Sequence, residues 1–266
     1  MCVKRTFVMA AWVALLAAAP VFGDVAGLVA ALSGDNAEVR AQAFEGAGQY
    51  GPEAIGPVAA LLDDENVAVV RAAKIALEKI AGPATDAARA PETVRRAASE
   101  ALCNAAQSVK SKPGRDWLLW LLSYSGGPEA VPYLVGLMDS PGDFNMALLA
   151  LQGIGGSEVT HALLGKLPGA NVQRRVAIIN ALGAIGDADA VGPLIEEARW
   201  SGPAACAAIG ALGRIGRIDA VDVLWPKIQP DPCTCAVNAY LQVADNQKRN
   251  VAAKLYKRLL SASDEP

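Results

Sequence analysis

Ala181-Leu182-Gly183-Ala184-Ile185-Gly186 is answered, 30 residues later, by Ala211-Leu212-Gly213-Arg214-Ile215-Gly216. A small, apolar run that ends twice on Ile-Gly at a fixed distance marks a repeated structural unit. Working outward, similar endings stand at Gln49-Tyr50-Gly51, Ile80-Ala81-Gly82, Tyr124-Ser125-Gly126 and Gly153-Ile154-Gly155. Successive final glycines are 31, 44, 29, 31 and 30 residues apart. One period near 30 dominates, with one enlarged unit between Gly82 and Gly126.

Each unit reads as two helices. Pro52-Glu53-Ala54-Ile55 opens one of them, with proline in the first turn, where its missing N–H removes no hydrogen bond. Ile55, Val58, Ala59 and Leu62 follow at spacings of three and four, which places them on one helical face. Residues 63–66 are a polar turn. Val67, Val70, Ala73, Ile75, Leu77 and Ile80 predict the second helix, and Gly82 is expected to end it in the left-handed conformation. The plan returns in residues 128–137 followed by 144–155, in 189–194 followed by 203–216, and in 219–221 followed by 233–244. Ahead of the first of these second helices, Asp35 with Glu38 three residues on fits a capping box. No stretch reads as a strand. Two short helices cannot bury their apolar faces alone, whereas stacked neighbours share one continuous core. The expected fold is all-α, an α-solenoid of about seven stacked antiparallel helix pairs over residues 24–260. Residues 246–260 are expected to form a polar-faced capping helix and residues 261–266 a disordered tail.

Composition agrees with that plan. Of 266 residues, 53% are apolar, only 5% are aromatic and 25 are glycine, a mix suited to close-packed small-residue helices. The high apolar content excludes intrinsic disorder, and the absence of a three-residue glycine period excludes collagen. A single histidine, His161, and a formal charge of -3 argue against a histidine-rich metal enzyme and a general nucleic-acid binder. At the N-terminus, Lys4 and Arg5 precede an uncharged run over residues 7–19, and small residues Val21 and Gly23 lead to Asp24. That order predicts a secretory signal peptide over residues 1–23. The run is shorter than the roughly 20 residues a membrane span needs. Its removal leaves 22 basic and 27 acidic residues, a charge of -5. The expectation is an exported protein, periplasmic or secreted, with no stable membrane insertion after cleavage.

Val39-Arg40-Ala41-Gln42-Ala43, Val70-Arg71-Ala72-Ala73 and Val94-Arg95-Arg96-Ala97-Ala98, together with the two Ala-Leu-Gly runs, resemble HEAT repeats. The resemblance covers about residues 25–245 and is nearest to the short HEAT-like units named after the phycobilisome lyases. It implies a right-handed solenoid whose second helices line the concave side, and a protein that binds another protein through that extended curved surface. Within the enlarged unit, Val94-Arg95-Arg96 has the flavour of a second helix, but counting back from Gly126 makes it a first helix, and the count is preferred. The deoxyhypusine hydroxylase type of HEAT-like protein holds two irons on several histidines. This chain offers His161 alone, so no metal and no other cofactor is expected.

Candidate residues fall into three sets. Arg40, Arg71 and Arg175 share one position near the start of second helices, where the resemblance implies a ladder of polar contacts between repeats; Asn145 interrupts it. Trp117 and Trp120, with Trp200 and Trp225, are read either as anchors of a recognition surface or as rings filling gaps in an alanine-rich stack. Cys206 lies at a place in its second helix similar to that of Cys235 in the next, so a disulfide from Cys206 to Cys235 or Cys233 is open. Cys233-Thr234-Cys235 at a helix start is alternatively a redox pair or an inert one. The sequence contains no phosphate loop, no nucleophile elbow and no convincing acid–base pair. The reading is therefore a non-catalytic, exported scaffold for a protein partner, with no nucleic acid. The alternative is an enzyme-associated repeat protein of the bilin lyase-like or oxidoreductase type.

Overall fold

Short polar side chains start the helices. In the computed structural model, which describes residues 22–86, 88–228 and 234–263, the Asp24 carboxylate accepts from the Gly27 N–H and opens α1 (Val25–Ser33). Asn36 accepts from the Glu38 and Val39 N–H groups and opens α2 (Ala37–Gly46). The cap is thus Asn36 and not Asp35, because the first helical residue is Ala37 and the capping side chain must immediately precede it. The second hairpin is α3 (Ile55–Ala59) with α4 (Val67–Ala81), the latter capped by Asn66. The enlarged unit contains α5 (Glu92–Ser108) and α6 (Lys112–Ser125). Then come α7 (Val131–Leu137) with α8 (Phe144–Ile154), and α9 (Gly156–Lys166) with α10 (Val172–Ile185). The chain closes with α11 (Val191–Arg199) and α12 (Pro203–Ile215), α13 (Val221–Leu224) and α14 (Thr234–Asp245), and a final α15 (Arg249–Ser263). Among the described residues there is no strand.

Seven hairpins and one closing helix make an α-solenoid among the described residues. First helices pack in one row, α1 on α3, α3 on α5, α7 on α9 and α11 on α13. Second helices pack in another, α2 on α4 and onward through α6, α8, α10 and α12 to α14. Helix α5 lies against α3, and α6 between α4 and α8, so the enlarged unit is an ordinary hairpin with a long first helix, as the count from Gly126 requires.

Two expectations change. Gly186 and Gly216 do end their helices with left-handed φ values of 77° and 72°, but Gly82 has φ -51°. Pro83, with its φ fixed near -65°, carries the chain directly from α4 into a 3-10 turn, Gly82–Thr85, so no reversal occurs at Gly82. Helix α15 runs to Ser263, so residues 261–263 are helical rather than a disordered tail. Its apolar side, with Leu255 buried and Val251 and Leu259 packed beside it, continues the core. Residues 1–21, where most of the expected signal peptide falls, lie outside the described residues, as do residues 264–266.

One core runs the length of the stack, from Leu28 and Leu32 through Leu77, Leu102, Leu122 and Leu151 to Leu182, Leu212 and Tyr240. Each fully buried leucine contributes about 1.5–3 kcal/mol relative to an exposed one. Alanines such as Ala76, Ala150, Ala181 and Ala211 fill the space between and let helix axes come close. At several crossings even a methyl group is excluded. A Cβ on Gly183 would stand 2.6 Å from the Ala211 Cβ, and one on Gly213 would stand 2.7 Å from the Ala239 Cα.

Candidate interaction surface

Trp117, Trp120 and Tyr124 recur at three- and four-residue spacing, which sets them along one side of α6. The Trp117 and Trp120 rings are 4.7 Å apart at 30°, and Trp120 meets Tyr124 edge-on at 5.0 Å. Lys74, from the neighbouring second helix α4, stands 5.2 Å over the Trp117 ring. The buried face of α6 is made of Leu118, Leu119, Leu121 and Leu122. The aromatic row rises from half-buried Trp117 and Trp120 to Tyr124, which is 62% exposed, and Leu149 on α8 is 42% exposed. Trp117 packs against the stack with its indole N–H buried and unpartnered, while the row as a whole ends in solvent. A groove of about 660 Å³ opens beside Tyr124, lined also by Arg95, Arg96 and Glu129.

The three aligned arginines do different things. Arg40 donates to the Gly34 carbonyl and fastens the turn of its own hairpin. Arg175 donates to the Leu167 carbonyl at 3.0 Å and lies 3.6 Å from Glu197 in the next hairpin, so it alone of the three both closes a turn and bridges repeats. Arg71 is exposed and has no hydrogen bond or ion pair among the described residues. Asn145, which interrupts the sequence ladder, is also exposed. A fourth arginine takes the same bridging role. Arg115, partly buried, donates to Asp143 at 3.3 Å across to the hairpin of α8. The signal for it was present: Arg115 is the fourth residue of α6, as Arg40 is of α2 and Arg175 is of α10.

A second tie was also hidden in a loop. The Asp63 carboxylate, in the turn between α3 and α4, accepts from the Lys110 and Ser111 N–H groups at 2.9 and 2.8 Å, and the Ser111 hydroxyl donates to the Leu62 carbonyl. The Lys110 N–H, more than any other group, holds the Asp63 carboxyl below its ordinary value of 3.8.

Residues 25–103 match the family described as HEAT repeats. No curated protein sequence matches this chain. Solved structures similar to it include human deoxyhypusine hydroxylase in complex with glycerol, at 20% identity and TM-score 0.38 over 88% of this chain and 96% of that one. Others are the E. coli protein YibA, at 17% identity and TM-score 0.41 over 84% and 93% of the two chains, and the CpcE–CpcF complex of phycocyanin lyase from a Nostoc species, at 17% identity and TM-score 0.39 over 90% and 94%. At such identities no activity passes from those proteins to this one.

The remaining chemistry of the helical stack is sparse. Cys103 and Cys206 are free thiols, Cys103 buried and Cys206 exposed, whereas Cys235 is disulfide-bonded. The bond from Cys206 to Cys235 or Cys233 that the sequence left open is not formed: the Cys235 sulfur is already engaged, and the Cys206 thiol is free and faces solvent. Cys233 itself lies outside the described residues. Burial pushes the Cys103 thiol up to about 11, which leaves it protonated and unreactive at neutral pH. The His161 imidazole stands 3.4 Å from Asp189 on the surface. Among the described residues no three His, Cys, Asp or Glu side chains gather as a metal would need, and no helix is long and apolar enough to cross a membrane.

Proposed function

We propose that this chain is an exported, non-catalytic HEAT-like scaffold that binds a protein partner through its second-helix face. The observation that carries the reading is the Trp117–Trp120–Tyr124 row of α6 with exposed Leu149 on the adjoining α8. Large rings and an aliphatic side chain held on rigid helices give contact area at little entropic expense, the pattern of an interface hot spot. The Lys74 ammonium, on the adjoining helix α4, adds charge beside the row. Export rests on the order of Lys4, Arg5, the uncharged run and Gly23 in the sequence.

The test is capture of partners by the processed protein from the envelope in which it resides, with wild type beside a Trp120→Ser, Tyr124→Ala, Leu149→Ala triple variant. A specific partner retained by wild type and weakened by about tenfold or more in the variant, at unchanged melting temperature, is the expected result. Equal capture by both, or none by wild type, overturns the assignment of this face. The mass of the mature protein is expected to correspond to an N-terminus at Asp24. A bound chromophore in the absorption spectrum of the native protein would favour the bilin lyase-like alternative instead.

A further inference from the structure

Charge is segregated along the stack. Residues 24–66 contain eight carboxylates and a single base, Arg40, whereas residues 246–266 contain five bases and two acids, Asp264 and Glu265. The hairpins between them, residues 67–245, hold 17 acids and 16 bases and are close to neutral. A solenoid converts order in the chain into order in space, since each hairpin touches only its neighbours. Helix α1 packs on α2, α3 and α4, and α15 packs on α14. The acidic and basic ends of one molecule are thus kept apart by the neutral hairpins.

Both ends keep exposed charges without an ion-pair partner. Asp35, Glu38 and Glu65 are exposed and have no ion pair among the described residues. The same holds for Lys254 and Lys257 on α15. That helix is pinned by its other side, where Leu255 is buried, the Tyr240 hydroxyl donates to the Leu255 carbonyl, and the Arg258 guanidinium stacks 3.9 Å from the centre of the Trp225 ring. Lys254 and Lys257 are left on the outward side of a rigid closing helix. Each end repels itself and is complementary to the other end of a second molecule.

We infer that the chain associates with itself head to tail, the lysine-bearing face of α15 in one copy seating against the acidic first hairpin of the next. The occupant of each end is a second copy of this chain, because both halves of the complementary pair are present in one sequence. Such an interface is heterologous, so it propagates as short linear assemblies instead of closing as a twofold dimer. It is independent of the second-helix face and of whatever partner that face takes. Exposed charges interact over about 30 Å at 0.01 M salt but only about 8 Å at physiological ionic strength, so the association is strongly salt-dependent.

Sedimentation velocity on the full chain tests this. Wild type is expected to show a concentration-dependent rise in sedimentation coefficient near 0.01 M salt, with an affinity about tenfold or more weaker at about 0.5 M. A Lys254→Glu, Lys257→Glu variant replaces the two outward bases of α15 by acids, and an Asp35→Lys, Glu38→Lys variant replaces two exposed acids of the first hairpin by bases. Each is expected to remain monomeric alone, and an equimolar mixture of the two is expected to associate again. Monomeric wild type at low salt, self-association of either variant at wild-type strength, or a mixture that stays monomeric would each overturn the inference. Melting temperatures establish that the variants fold. Should a reversal variant not fold, Lys254→Gln, Lys257→Gln replaces it and is expected to lose self-association while binding the Asp35→Lys, Glu38→Lys variant no better than itself. Binding of wild type to anionic vesicles with no self-association would assign the basic face of α15 to a membrane surface and reject the second copy.

Discussion

Gly210 and Gly213 lie three residues apart in one helix and are expected to respond oppositely to the same substitution. A Cβ on Gly210 meets only the Arg214 guanidinium, at 3.6 Å, an ordinary contact. Gly210→Ala removes backbone freedom from the unfolded chain and is expected to raise stability by about 0.5–1 kcal/mol. A Cβ on Gly213 would stand 2.6 Å from the Gln242 amide oxygen and 2.7 Å from the Ala239 Cα, and backbone cannot swing aside as a side chain can. Gly213→Ala is expected to lower stability by about 1–3 kcal/mol. Chemical denaturation of the two variants decides it, and a shift of the same sign in both would show that α12 and α14 are not in close contact at this crossing. The sequence displayed both glycines inside the same small-residue run. Nothing local separates them, since what forbids a side chain at Gly213 is the backbone of a helix some 26 residues further on.

At the scale of elements, what joins one hairpin to the next beyond apolar packing is a small set of polar ties. Asp63 ties the turn of the second hairpin to the segment just before α6. Its carboxylate is held below the ordinary value of 3.8, first by the Lys110 N–H, so ionisation is easier in the folded state than in the unfolded one. The stability this supplies is present above that ordinary value and disappears as pH falls through the lower, folded one. Asp63→Ala is expected to destabilise by about 1 kcal/mol at neutral pH, below the range for buried charged hydrogen bonds because the pair faces solvent. The difference from wild type is expected to vanish in urea titrations below the folded value; a difference that persists there would assign the effect to packing. Asp63 was legible only as part of a polar turn. Its acceptors' partners lie 47 and 48 residues away, a distance set by the unusual length of α5. By contrast Arg115 could have been found by register, since the same fourth position carries Arg40 and Arg175.

For the whole molecule, nearest-neighbour stacking predicts that damage at one end stays there. Leu255, 8% exposed, joins α15 to the core. Leu255→Ser is expected to raise hydrogen exchange in α14 and α15 and leave α4 unchanged; a uniform rise along the chain would mean that the stack melts as one unit. The sequence by itself determined the plan of this protein: a period near 30, two helices per period, the role of α5 from the count back from Gly126, and a closing helix from Val251, Leu255 and Leu259. These follow from apolar spacing and from Pro, Asn and Gly at helix ends, all of which act within one hairpin. Only the tertiary structure decided which of three equivalent arginines bridges repeats, that Cys206 stays free while Cys235 is bonded, that Gly213 is indispensable and Gly210 is not, and that Tyr124 and Leu149 face solvent. Each of those depends on which atoms a neighbouring hairpin brings within a few ångströms, and a pattern repeated along one chain carries no record of that distance.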